Sequence, residues 1–201
     1  MRPLVSKELC LRPLVPDDAD DFVKAVRESV VTVGRWMPWC HSDYSTNEAM
    51  QWFSTCAQNR VDESAFDLGI FSADGKELLG GIGLNGINWQ YNFCNLGYWI
   101  RESRQGQGIA TQSAQMMTRF GFSKLGLTRI EIVVALDNAP SIAVARKLGA
   151  VYEGLLSNRL IYHGVPMDAS MFALVPDTTT RDAQQKTGQV CEHNHGTSSY
   201  R

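Results

Sequence analysis

No run of this sequence is apolar for long enough to cross a bilayer as a helix, and the opening Met1-Arg2-Pro3-Leu4 lacks the apolar core of a secretory leader. An excess of either charge is missing as well. The formal net charge is -2, which gives no electrostatic reason to expect nucleic acid or a membrane surface as partner. There is no Cys-x-x-Cys pair, and the five cysteines (Cys10, Cys40, Cys56, Cys94 and Cys191) are odd in number, so at least one stays unpaired. The expectation is buried thiols in a reducing compartment, that is, a cytoplasmic protein. Cys191-x-His193-x-His195 has metal-binding residue types, but its polar surroundings supply none of the further ligands a structural zinc needs, and no metal is expected.

What the sequence does contain is a globular composition, 44% hydrophobic and 20% charged over 201 residues, long enough for one domain with a proper core. Large apolar side chains nearly vanish towards the C-terminus, so the domain is expected over 1–176 and a disordered polar tail over 177–201. Glu8 to Leu14 reads as a strand. Pro16-Asp17-Asp18 opens a helix to about Glu28, because proline suits a first turn and acids there complement the helix dipole. Pro38 interrupts the aromatic segment around Trp36 and Trp39, and Asn47 to Gln58 is a second helix capped by Ser45 or Thr46. Strands follow at Phe66 to Phe71 and Leu78 to Leu84, around the turn Asp74-Gly75-Lys76. Asn85, Gly86 and Asn88 read as loop residues before a strand at Asn95 to Arg101. A helix from Ile109 to about Leu125, a strand at Arg129 to Leu136, a helix to about Leu148 and a β segment from Val151 to Leu174, turning at His163-Gly164, complete the chain. The order β-α-α-β-β-β-α-β-α-β-β combines hairpins with helical crossovers, which predicts one α/β (α+β) domain around a mixed sheet.

Between the strand at Asn95 to Arg101 and the next helix lies Gln105-Gly106-Gln107-Gly108-Ile109-Ala110-Thr111. A strand that feeds a glycine loop and then a helix is suited to an anion. Glycines let the backbone come close, and the helix's free N–H groups and dipole favour negative charge. The Thr111 hydroxyl adds a further group. The absence of a Gly-Lys-Ser/Thr ending excludes a P-loop, and the three glycines of a dinucleotide fingerprint are missing.

Gln105-x-x-Gly108-x-Ala110 resembles the Q/R-x-x-G-x-G/A pyrophosphate motif of the GNAT acetyltransferases. The surrounding segments Gly97-Tyr98-Trp99-Ile100, Glu102-Ser103, Arg129-Ile130-Glu131, Asp137-Asn138-x-x-Ser141 and Ala145-Arg146-Lys147-Leu148-Gly149 are similar to the branch that acetylates the N-terminal serine or alanine of ribosomal proteins, as is Trp36-Met37-Pro38-Trp39 upstream. The resemblance spans about Leu9 to Val175. It implies a single GNAT-like domain whose fourth and fifth strands, here Asn95 to Arg101 and Arg129 to Leu136, splay apart around the pantetheine arm of acetyl-CoA. Backbone groups at Trp99, Ile100 and Arg101 are then expected to pair with that arm. Gln105, Gly106, Gln107, Gly108, Ile109, Ala110 and Thr111 are expected to take the pyrophosphate, Asn138 to serve both cofactor and helix start, and Arg146 or Lys147 to reach cofactor phosphate. Trp36, Trp39 and Tyr98 are the candidates for the acceptor pocket.

The implied reaction is direct attack of a neutral amine on the thioester in a ternary complex. An α-amino group, with a pKa of about 8, is partly neutral near pH 7, so positioning contributes more than a strong base. A backbone N–H near Ile100 is the expected oxyanion donor. Many family members place an acidic tyrosine where this chain has Ala145; the branch it resembles uses the serine of Asn-x-x-Ser, so Ser141 is the expected acid. Asn138 and Ser141 are also ordinary helix-start residues. Glu102 and Glu131 are the candidate bases. The acceptor stays open between a protein N-terminus and a small amine (polyamine, amino sugar, amino acid or antibiotic), with a non-catalytic acyl-CoA sensor as the third reading. The oligomeric state stays open too, a homodimer included.

Overall fold

The computed structural model of the chain describes residues 1–162 and 164–176; the tail expected over 177–201, with Cys191, His193 and His195, and the turn residue His163 lie outside them. Along the chain come β1 (Leu4–Val5), β2 (Leu9–Arg12), α1 (Ala19–Glu28), α2 (Thr46–Val61), β3 (Phe66–Ser72), β4 (Leu78–Asn88), β5 (Phe93–Ile100), α3 (Ile109–Ser123), β6 (Arg129–Ala135), α4 (Ala139–Lys147), β7 (Val151–Tyr162) and β8 (Val165–Leu174). Apart from the two-residue β1, this is the expected order. The strands form one mixed sheet in the order β1-β2-β3-β4-β5-β6-β8-β7. All neighbours are antiparallel except β5 and β6, which run parallel because α3 carries the chain back between them.

One local reading is corrected. Asn85, Gly86 and Asn88 belong to β4 rather than to a loop, because β5 continues the ladder opposite them: Asn85 faces Asn95, and Asn88 faces Phe93. Asn95 Nδ2 donates to Asn85 Oδ1 at 3.0 Å, and the ladder's irregularity is confined to the step between Asn85 and Asn88.

The sheet separates two apolar clusters. Ile82, Leu84, Leu96, Met117 and Ile130 pack on the side of α3 and α4, and Phe22, Val26, Phe53 and Phe71 on the side of α1 and α2. α1 is amphipathic by spacing. Ala19, Phe22, Val23 and Val26 recur at three- and four-residue steps and are all buried, and burying a large apolar side chain contributes about 1.5–3 kcal/mol. α2 starts on a reciprocal cap, in which Ser45 Oγ accepts the Glu48 N–H and the Glu48 carboxylate accepts the Ser45 N–H. The described cysteines, Cys10, Cys40, Cys56 and Cys94, are free and buried. Among the described residues no helix is long and apolar enough to cross a membrane.

The feature that positions a site is the way β5 and β6 part. They pair only where Phe93, Cys94 and Asn95 face Arg129, Ile130 and Glu131. Beyond that point β5 follows β4 and β6 follows β8. One edge of β5 from Leu96 to Ile100 is left open.

Candidate active site

The open edge of β5 has a defined phase. The Arg101 N–H donates to Leu79 O at 3.0 Å on the β4 side. An antiparallel ladder alternates, so the Trp99 backbone also faces β4, while Tyr98 and Ile100 direct N–H and C=O into the split. The Ile100 carbonyl accepts from Gln105 Nε2 at 2.9 Å, and the same amide nitrogen donates to Thr32 Oγ1 at 3.1 Å. Arg101 is held from α1: its Nε and Nη2 donate to the Glu28 carboxylate at 2.8 and 2.6 Å, and Ser103 Oγ donates there at 2.7 Å. The hydrogen bonds from Arg101 hold the Glu28 carboxyl down at about 2.

Just beyond the split, α3 begins bare. α2 and α4 are capped by the Ser45 and Asn138 side chains, whereas α3 has neither a side-chain cap nor an acid in its first turn. Gln112 N–H to Gly108 O is its first internal bond, which leaves the Ile109, Ala110 and Thr111 N–H groups as unpaired donors among the described residues. Gly106 and Gly108 have φ of 76° and 78°, a left-handed conformation that costs other residues roughly 1–2 kcal/mol. The loop and helix start together form a positive cradle for an anionic group.

Ser141 sits in the first turn of α4, with its N–H accepted by Asn138 Oδ1 at 3.2 Å. Its Oγ lies 2.8 Å from the Tyr98 hydroxyl, which also donates to Ser141 O at 3.2 Å. Burial raises the Tyr98 pKa, with the Ser141 bond opposing it. Ala145, one turn further on, is fully buried.

On the face covered by α1 and α2, a cavity of about 490 Å³ opens against the sheet. Trp99 meets both Trp39 and Phe22 edge-to-face, each at a centroid distance of 5.5 Å, which gives the cavity an aromatic wall. Gly81, Gly83 and Gly97 line it from the sheet, and two carboxylates, Glu48 and Asp67, also face it. Glu48 is engaged by Ser45 Oγ at 2.7 Å and by His41 Nε2 at 3.1 Å. Asp67 is different. Its backbone carbonyl accepts from Arg60 at 3.2 Å, but its carboxylate has no hydrogen-bond partner among the described residues. Burial pushes that carboxyl up to about 6, against the pull of the Arg60 charge.

The expected residues are therefore divided among several places. Trp39 lines the cavity, whereas Trp36 lies outside its lining, with the Arg35 guanidinium 4.8 Å from its ring centre. Tyr98 reaches the cavity wall but turns its hydroxyl to Ser141. Of the three backbone positions expected to meet a pantetheine arm, Trp99 and Arg101 face β4, and the Arg101 side chain is taken by Glu28; only Ile100 turns to the split. Glu131 accepts from Arg129 Nε at 2.8 Å on the paired start of β6, and Glu102 Oε2 accepts from Thr32 Oγ1 at 3.2 Å. Neither lines the cavity. Arg146 and Lys147 are exposed in the last turn of α4. Sequence reasoning missed Glu28, Glu48 and Asp67. A signal for Asp67 was present: it is the one charged residue within the strand Phe66–Ser72, whose other residues up to Phe71 are apolar.

Comparison with known proteins bears on this arrangement. The family model described as the acetyltransferase (GNAT) domain matches residues 8–151. An uncharacterized N-acetyltransferase of Bacillus subtilis (strain 168) is 28% identical over 172 residues, which cover 86% of this chain and 96% of that protein. A solved structure from Vibrio cholerae, described as a candidate ribosomal-protein-serine acetyltransferase, is 34% identical with a TM-score of 0.78, covering 87% of this chain and 98% of its own. A ribosomal L7/L12 α-N-protein acetyltransferase in complex with coenzyme A is 26% identical with a TM-score of 0.79, covering 88% of this chain and 99% of that one.

Proposed function

Since the chain belongs to the GNAT acetyltransferase family, we propose that it moves an acetyl group from acetyl-CoA to a primary amine, in first place the N-terminal α-amino group of a protein of ribosomal type. The observation that carries this reading is the parting of β5 from β6 directly before an uncapped helix start. An extended arm fits along the open edge of β5, and a pyrophosphate fits the Gly106–Thr111 cradle. The similar L7/L12 enzyme that binds coenzyme A supports the same donor.

The chemistry follows from the groups at the split. The amine nitrogen attacks the thioester carbonyl while both are held in place, which contributes most of the acceleration. The Ile100 N–H is the donor for the developing oxyanion. Ser141 faces the leaving sulfur, and the Tyr98 phenol, turning its one proton from the Ser141 carbonyl to Oγ, supports proton donation as negative charge develops. Ala145 leaves no phenol on α4; in this chain the phenol at the site comes from β5. CoA thiol leaves with a pKa similar to that of cysteine, about 8.5, so weak assistance suffices.

A second acceptor class is favoured by one observation. The aromatic cavity with Asp67 on its wall has the chemistry for a small cationic amine, since an aromatic wall and a carboxylate both attract positive charge. The deciding experiment follows thiol release from acetyl-CoA by the purified chain with seryl and alanyl peptides, polyamines, amino sugars and amino acids. Turnover on peptides with a free N-terminus, lost when that N-terminus is blocked, is expected. Coenzyme A binding without turnover on any amine would leave only the acyl-CoA sensor.

A further inference from the structure

The acetyl-transfer reading leaves one chemical problem open. Near neutral pH most of any amine acceptor is the ammonium form, which has no lone pair, and neither Glu102 nor Glu131 faces the cavity to take its proton. Asp67 does face it. We propose that Asp67 is the carboxylate on which the acceptor's ammonium group docks and to which it gives the proton it must lose before attacking the thioester. This rests on the acetyl-transfer reading above.

Three independent features point to Asp67. In the sheet it shares a row with Gly83 of β4 and Gly97 of β5. A Cβ at Gly83 would overlap Asp67 Oδ1, so the carboxylate lies across the bare glycine towards β5, the strand that carries the open edge. No side chain of that row stands between it and β5. The half-buried carboxylate also has no hydrogen-bond partner among the described residues, whereas a largely desolvated anion normally has one. Glu48, the other carboxylate on the cavity, is fully engaged as a helix cap. Finally, the cavity walls are aromatic, Trp39, Trp99 and Phe22, and ring faces attract the same positive charge.

The charged and titratable neighbours agree with this role. From α2, Arg60 stabilises the carboxylate without pairing to it, and Cys56 is a buried thiol whose own pKa is raised. Glu48, Tyr44 and, from β5, Tyr98 with its hydroxyl turned to Ser141 complete the cavity's titratable lining, and β4 and β5 contribute no charged side chain to it. With burial setting the Asp67 carboxyl at about 6, it is ionised at neutral pH yet basic enough to accept a proton. In the step itself, the ammonium gives one proton to Asp67. The freed lone pair forms the C–N bond as the C–S bond breaks, a second N–H proton leaves with the sulfur as CoA thiol, and the third remains on the amide nitrogen.

The test measures kcat/KM against pH for a seryl peptide with a free N-terminus, and for spermidine as the small-amine arm, with the wild-type chain and Asp67→Asn. For the wild type with the seryl peptide, a bell is expected, rising near 6 as Asp67 ionises and falling near 8 as the α-amine loses its proton. Asp67→Asn is expected to lower kcat/KM by about 10²-fold or more, to lose the rise near 6, and to keep its stabilisation by coenzyme A. Asp67→Glu restores part of the rate. The proposal is overturned if Asp67→Asn stays within a few-fold of wild type with the same profile, whichever amine is used. If Asp67→Asn does not accumulate folded, the wild-type profile decides alone, and a missing limb near 6 overturns the proposal. A wild type that binds coenzyme A but acetylates neither amine removes the transfer reading, and this proposal with it.

Discussion

A serine hydroxyl is a poor acid, so the acid role proposed for Ser141 leans on the Tyr98 phenol 2.8 Å away. Ser141→Ala should slow turnover by no more than the 10²–10⁴ range of general acid catalysis while the Kd for coenzyme A stays the same, as measured by steady-state kinetics beside calorimetry. Tyr98→Phe keeps the serine and removes its support, so a loss of about tenfold is expected. At Asp67 the prediction concerns stability as well as rate. In the unfolded chain this carboxyl has its ordinary value of 3.8, and in the fold it titrates at about 6. The native state therefore binds the proton more tightly, and the fold loses stability as pH rises from the lower value through the upper one. The displacement corresponds to about 3 kcal/mol at most. Asp67→Asn should then raise the thermal midpoint at pH 8 and leave it unchanged at pH 3, where the aspartate is already protonated.

The elements that matter most are β5 and α3, and the short turn between them is braced rather than loose. Glu28 on α1 receives Arg101 and Ser103, and Gln105 returns to the Ile100 carbonyl. Glu28→Gln removes the charge that fixes Arg101, leaving a half-buried guanidinium with a weaker partner. Coenzyme A affinity should fall several-fold although no atom of Glu28 lies on the cradle, because a bound anion needs its donors held in place. Gly108→Val tests the cradle directly. Space for a side chain is open at Gly108, so the effect comes from the backbone: valine resists a φ of 78°. A drop in coenzyme A affinity of about tenfold or more, read by calorimetry, is expected.

At the scale of the whole molecule, the sheet brings the two halves of the proposed site together. The anion cradle and Ser141 come from the α3 and α4 side, and the aromatic cavity with Asp67 comes from the α1 and α2 side. They meet at β5, whose consecutive residues face alternate sides: Tyr98 bonds Ser141, and Trp99 packs on Trp39 and Phe22. The β7–β8 hairpin ties back across the fold, where the Tyr162 hydroxyl donates to Gly34 O at 2.6 Å. Because the proposed donor site joins separate elements, ligand binding should be felt globally. Coenzyme A at about 100 times its Kd should add about 2.7 kcal/mol, raising the thermal midpoint by roughly 5–10 °C for a chain of this size. The Gly108→Val chain should show little of that rise at the same concentration.

The sequence by itself determined the element order, the glycine cradle and the likeness to GNAT acetyltransferases, because each is written in short-range pattern: helical spacing in α1, the cap at Ser45, glycines between a strand and a helix. It also put Ser141 in the first turn of α4, through the helix-start residues Asn138 and Pro140. What only the tertiary structure decided was which groups meet across the sheet. Strand alternation turned the Trp99 and Arg101 backbones to β4 and left Ile100 facing the split, and β5 brought the Tyr98 phenol to Ser141 across 43 residues. The proposal for Asp67 rests on the same kind of long-range arrangement. Its neighbours in the row, Gly83 and Gly97, are distant in sequence, and an aspartate becomes a base only when burial and the lack of a partner change its pKa. Those are properties of its surroundings, and no local pattern encodes them.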